Sequence, residues 1–181
     1  VTVSTAGLVP NIQRLGEETQ VKLAVSLNAT TDEQRARLMP VGRKWNLAAL
    51  IDACRKFPAK QGRRITFEYV LLGGVNDSVP HARELARRLG GKRVKVNLIP
   101  LNPAPEIPFK APAPEAVDAF GAVLAGLDAL LGRDPRPLLI SIAAAALGEP
   151  LVSAVVQQLT CLAAEGACHG LALLVAGDPG G

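Results

Sequence analysis

A chain of 181 residues, 49% of them hydrophobic and only three of them cysteine, is long enough to bury one sizeable core and excludes a disulfide-stapled scaffold. Aromatic residues make up 3%, so Leu, Val, Ile and Ala must fill that core. The net charge of +4 is split: every Lys and Arg lies at or before Arg136, whereas Glu149, Glu165 and Asp178 are the only charges after it. A first short run, Val1-Thr-Val-Ser4-Thr-Ala-Gly7, reads as a strand, as does Val21-Lys-Leu-Ala-Val-Ser26-Leu-Asn28. Thr31-Asp-Glu-Gln34 is a capping-box start for a helix through Leu38, stopped by Pro40. Asn46 caps a second helix whose apolar positions Leu47, Leu50, Ile51, Cys54 and Phe57 recur at helical spacing. That places Cys54 on a buried face, as a small core hydrophobe. Ile65-Thr-Phe-Glu68-Tyr-Val-Leu-Leu72 is a third strand, running into a turn at Gly74-Val-Asn76-Asp77. Asp77 or Ser78 caps the next helix, with Pro80 in its first turn and His81 at its exposed start. A fourth strand covers Val94-Lys-Val-Asn97-Leu-Ile-Pro100, and a long helix from Pro114 carries the stripe Val117, Phe120, Leu124, Leu127 and Leu131.

Strands alternating with helices imply an α/β fold with a parallel sheet. Ligands of such sheets sit beyond the carboxyl ends of the strands, where Ser4, Ser26, Asn28 and Asn102 fall. Glu68 stands inside an otherwise apolar strand and needs a partner, for which a nearby arginine is the expectation. The excess of positive charge up to Arg136 suits a surface that neutralises phosphates. Arg35, Arg37, Arg43 and Lys44 form one candidate cluster, and Arg55, Lys56, Lys60, Arg63 and Arg64 a second. Trp45 and Phe57 are the aromatic residues near them, which gives little scope for base stacking.

Five strings in order carry a family resemblance: Ser4-Thr-Ala-Gly-Leu-Val-Pro10; Ser26-Leu-Asn-Ala29; Asp32-Glu-Gln-Arg35 with Leu38-Met-Pro-Val41; Phe67-Glu-Tyr-Val-Leu-Leu-Gly-Gly-Val-Asn-Asp77; and Val96-Asn-Leu-Ile-Pro-Leu-Asn-Pro103. The chain resembles the C-terminal half of the radical S-adenosylmethionine RNA methyltransferases that modify adenine C2 in 23S ribosomal and transfer RNA. The resemblance implies a partial (β/α) radical S-adenosylmethionine barrel over residues 1–131. It also implies that Ser4, Ser26, the backbone of Leu27, Asn28 and Asn102 bind S-adenosylmethionine. The family usually has His where this chain has Asn28. The cofactors it implies are S-adenosylmethionine and a [4Fe–4S] cluster; its partners are 23S rRNA, tRNA and an electron donor such as flavodoxin, in a cytoplasmic setting without a membrane.

The family holds its cluster on an N-terminal Cys-x3-Cys-x2-Cys loop and uses a further cysteine in an Ala-Ala-Cys-Gly-Gln-Leu motif. Thiolate ligation of a cluster needs grouped cysteines; this chain has Cys54, Cys161 and Cys168. The region matching the second motif reads Leu138-Leu-Ile-Ser-Ile-Ala-Ala-Ala-Ala-Leu-Gly148. The sequence also opens inside a strand, so the expectation is a fragment that is inactive alone. Residues 132–181 depart from the family as an Ala- and Leu-rich, helical tail, the product of a frameshift or a fusion. Glu149-Pro150 interrupts its apolar run well short of a membrane span, and Cys161, Cys168 and His169 fit no closed zinc pattern. Two other readings stay open: a non-catalytic RNA-binding remnant, and a related methyltransferase acting on adenine C8.

Overall fold

Short β-branched runs separated by amphipathic stretches give the computed structural model its architecture, which describes residues 1–58, 64–90, 94–130 and 139–142. Strands β1 (Thr2–Thr5), β2 (Lys22–Ser26), β3 (Ile65–Leu71), β4 (Val94–Pro100) and β5 (Leu139–Ile142) form one sheet in that order, with every neighbouring pair parallel. Helices α1 (Val9–Glu18), α2 (Asp32–Leu38), α3 (Leu47–Lys56), α4 (Val79–Leu89) and α5 (Pro114–Leu130) make the crossovers. The architecture is therefore the expected α/β one.

Side chains alternate across each strand, so the sheet has two unlike faces. One carries Leu23 and Val25 of β2 with Leu27 just beyond it, Phe67, Tyr69 and Leu71 of β3, and Val94, Val96 and Leu98 of β4. These pack in a single core with Ile12 of α1, Leu50 and Cys54 of α3, Leu85 of α4 and Phe120 of α5. The stripe expected on α3 is thus buried, as are Val117, Phe120 and Leu124 of the one expected on α5, and Cys54 is a core residue. At the far end of β3 a smaller cluster joins Val70 and Leu72 to Leu38, Met39, Leu101 and Ile107. On the same face as Val70, two residues back along β3, lies Glu68.

Local signals set the helix starts. Thr31 Oγ1 accepts from the Gln34 backbone N–H at 3.1 Å, and Asn46 Oδ1 accepts from that of Ala49 at 2.8 Å. The return bond of the first cap shifts by one residue: Gln34 Oε1 accepts from Thr30 N rather than from Thr31 N. Ser78 stands at the α4 cap without a capping bond, and its hydroxyl instead lies 2.7 Å from His81 Nδ1.

One expectation needs correction. A helical tail was expected beyond residue 131, yet Leu139–Ile142 form a strand, with Leu139 opposite Lys95 and Ile142 opposite Leu98. A four-residue apolar run carries no periodicity that separates strand from helix, and the open edge of β4 decides the matter by offering a ladder. The sheet therefore continues past residue 131. The remainder of the tail expected to be helical, with Cys161, Cys168 and His169, lies outside the described residues.

Phe120 is fully buried and its ring centroid lies 5.3 Å from that of Tyr69. Phe120→Ala is expected to lower stability by about 3–5 kcal/mol, and Phe120→Leu by about 1 kcal/mol, in urea unfolding.

Candidate functional site

The carboxyl edge of the sheet is organised around Glu68. Register places Ser26 beside Glu68 and Glu68 beside Asn97, and laterally paired residues of parallel strands share a face. Ser4, which pairs with Ala24, reaches across from β1. Glu68 Oε2 accepts from Ser4 Oγ at 2.9 Å and from Ser26 Oγ at 3.3 Å. The Glu68 side chain is almost fully enclosed, at 7% relative exposure. A carboxylate so placed needs hydrogen bonds, and hydroxyls supply them here, not the arginine expected from sequence.

Arg35 is the residue whose role changes most. It is 1% exposed and so does not belong to the basic RNA-facing cluster in which its sequence neighbours place it. Its guanidinium donates through Nη1 to Leu27 O at 2.6 Å and Ser26 O at 3.1 Å, and through Nη2 to Ala6 O at 2.6 Å. These are carbonyls at the ends of β1 and β2, where the ladder runs out. Burial lowers its pKa to about 10, against the smaller opposing effects of Cys54 and Asp32. Gly7 makes room for it: at φ 103° a Cβ on Gly7 would stand 2.9 Å from Arg35 Nη2. The signal available in the sequence was position, since Arg35 precedes Leu38 by three residues and shares its buried helix face.

The other anticipated residues fall into two groups. Leu27 packs its side chain in the helix-side core and donates its N–H to Glu68 O at 2.8 Å, so what it presents at the site is backbone. Asn28 takes a left-handed conformation, φ 56°, and is 4% exposed. Its Oδ1 accepts from Val70 N at 2.9 Å, and its Nδ2 lies 3.6 Å from Met39 Sδ. Asn76, also buried, donates through Nδ2 to Asn28 O and Val70 O, and accepts from Leu72 N. Asn28 and Asn76 therefore form a clamp that continues the β2–β3 pairing beyond the ladder, in keeping with a turn-shaping role for Asn76. Asn102 lies on the exposed segment after β4, one residue beyond Leu101, whose N–H donates to Leu71 O at 3.1 Å. Among the described residues no hydrogen bond ties Asn102 to the Glu68 cluster. The structure thus joins Ser4, Ser26 and the Leu27 backbone directly through Glu68, sets Asn28 behind them, and leaves Asn102 at the rim.

The basic surface divides likewise. Arg37, Arg43 and Lys44 are exposed around the half-buried Trp45, with Lys44 Nζ 4.7 Å from the indole centroid. Arg55 and Lys56 are exposed on α3, Lys56 paired with Asp52 at 2.7 Å; Arg64 is half-buried, and Lys60 and Arg63 lie outside the described residues. No group of three His, Cys, Asp or Glu side chains that would hold a metal exists among the described residues, and Cys54 is sealed in the core. The described residues therefore do not fit an iron–sulfur cluster.

Replacing Arg35 tests this arrangement. Arg35→Met is expected to cost about 3–5 kcal/mol in chemical denaturation, because two buried carbonyls and the half-buried one of Ala6 lose their donor at once. Arg35→Lys recovers part of that loss, a single ammonium being unable to span both strand ends in the guanidinium fork geometry.

No protein-family model matches the chain. Curated relatives do. The dual-specificity RNA methyltransferase RlmN of Anaeromyxobacter sp. (strain Fw109-5) is 64% identical over 125 residues, covering 69% of this chain and 33% of the relative. RlmN 2 of Myxococcus xanthus (strain DK1622) is 61% identical over 125 residues, with the same coverage. A crystal structure of a radical SAM methyltransferase from Sphaerobacter thermophilus superposes with a TM-score of 0.69 at 48% identity, over 78% of this chain and 39% of that one. The chain spans about a third of the length of the curated relatives it matches. Over that third, its sequence and its parallel sheet place it in the family of the radical SAM RNA methyltransferases.

Proposed function

We propose that the chain forms the S-adenosylmethionine-cradling wall of a radical S-adenosylmethionine enzyme that methylates C2 of adenosine in 23S rRNA and tRNA. The observation that carries this reading is the convergence of Ser4 and Ser26, from two strands, on one enclosed carboxylate at the sheet's carboxyl edge. Small neutral hydroxyls, backbone groups and one acid suit a ligand that offers ribose hydroxyls and a cationic sulfonium. Asn28 acts here by shaping the end of β2, and Asn102 by reaching the ligand from the rim.

S-adenosylmethionine, when bound, supplies the methyl group; the residues of this chain bind it, orient it and keep water away. The cluster of the family, reduced by a partner electron donor such as flavodoxin, would be held by residues other than those described. The 181-residue chain alone is accordingly inactive in methyl transfer. Arg37, Arg43, Lys44 and Trp45 form the face offered to RNA, where phosphate neutralisation and a half-buried indole lie together. Among the described residues no helix is long and apolar enough to cross a membrane, and a cytoplasmic setting accords with an RNA substrate.

The exposed Arg37, Arg43 and Lys44, with Lys44 over the Trp45 ring, support one second reading, a non-catalytic RNA-binding remnant. Calorimetric titration separates the two. Saturable binding of S-adenosylmethionine, weakened about 10- to 100-fold in a Ser4→Ala/Ser26→Ala double variant, is the expected result. RNA binding that falls steeply with salt, with no S-adenosylmethionine binding at all, would leave only the remnant.

A further inference from the structure

Each serine hydroxyl has one proton and two lone pairs. Ser4 and Ser26 both spend that proton on the same oxygen, Glu68 Oε2. Among the described residues Glu68 has no ion-pair partner, so nothing else competes for this oxygen as a charged donor. The carboxylate has no proton of its own to give when ionised. The three side chains are thus left with acceptors only: the remaining lone pairs of Ser4 and Ser26, and the second carboxylate oxygen. Ser26 and Glu68 are held at this height by register, and Ser4 by its pairing with Ala24, with the tie from Arg35 Nη2 to Ala6 O two residues on.

We infer that Glu68 is a positioning residue that fixes the hydrogen-bond polarity of this site, making it select ligands that donate, a ribose diol above all. The inference rests on the proposed S-adenosylmethionine site and adds to it the rule by which the site chooses. A ligand of the same shape that can only accept at its 2′ and 3′ positions leaves serine lone pairs facing its own. Mispaired buried polar groups are rejected strongly, in contrast to small differences in apolar bulk. Glu68 need not touch the ligand for this. It acts through the serine protons, and its removal frees both hydroxyls to rotate and donate.

The test uses the full 181-residue chain, with 5′-methylthioadenosine and its analogue bearing fluorine in place of both ribose hydroxyls as probes. The wild-type chain is expected to prefer the diol by about 10- to 100-fold in dissociation constant. Glu68→Ala is expected to shrink that preference to within about threefold. Glu68→Gln keeps most of it, because an amide oxygen can occupy the place of Oε2. A general structural role would lower both affinities together and leave their ratio alone. Ser4→Ala and Ser26→Ala, which retain Glu68, report the same ratio and decide the matter if Glu68→Ala does not fold. An unchanged ratio in folded Glu68→Ala, or no diol preference in the wild type, overturns the inference while the proposed site stands. A wild-type chain that binds neither 5′-methylthioadenosine nor S-adenosylmethionine removes the site and the inference with it.

Discussion

Parallel strands leave carbonyls without ladder partners where they stop, and at β1 and β2 the Arg35 guanidinium takes up three of them. Much of the local geometry depends on this. The fork fixes Ala6 against Ser26 and Leu27, and with them the distance between the ends of two strands that share no covalent turn there. Together with the ladder pairing of β1, β2 and β3, it brings hydroxyls two residues before Ala6 and one before Leu27 over a single carboxylate of β3. A lysine or a water chain at this place would satisfy carbonyls but would not impose a plane. The burial that lowers the guanidinium pKa to about 10 leaves it charged at neutral pH, so its bonds to the three carbonyls are charge-assisted.

The two faces of the sheet divide the labour. The helix-covered face buries leucines, valines, Phe67, Tyr69 and Phe120 in one continuous core, and supplies the rigidity that strand ends lack on their own. Across the backbone, the same strands present Ser4, Ser26 and Glu68, with Val70 and Leu72 closing the far end against Met39, Leu101 and Ile107. A site built on strand ends backed by a packed face is held more closely than one built on free loops.

Strands and helices were legible because each of their signals is local: β-branched runs, capping side chains and apolar residues at helical spacing. The expected Asn46 cap and the buried stripe of α3 are both present as read. What could not be read was decided by neighbours distant in sequence. Arg35 looks like one cation among several until α2 is packed on the ends of β1 and β2, which buries it. Glu68 is visibly anomalous in an apolar strand, but its partners lie 64 and 42 residues away, and only register reveals them. The strand at 139–142 exists because β4 has a free side to pair with, a fact that no feature of Leu-Ile-Ser-Ile announces.

The backbone at residue 28 carries a consequence for sequence variation. A positive φ is steeply unfavourable for branched or bulky residues, while Asn, Asp and His are the non-glycine types found there most often. The Asn present here, and the His that the family resemblance leads one to expect, both belong to the short alphabet that this dihedral permits. At this dihedral a valine or isoleucine would be strained whatever the ligand chemistry.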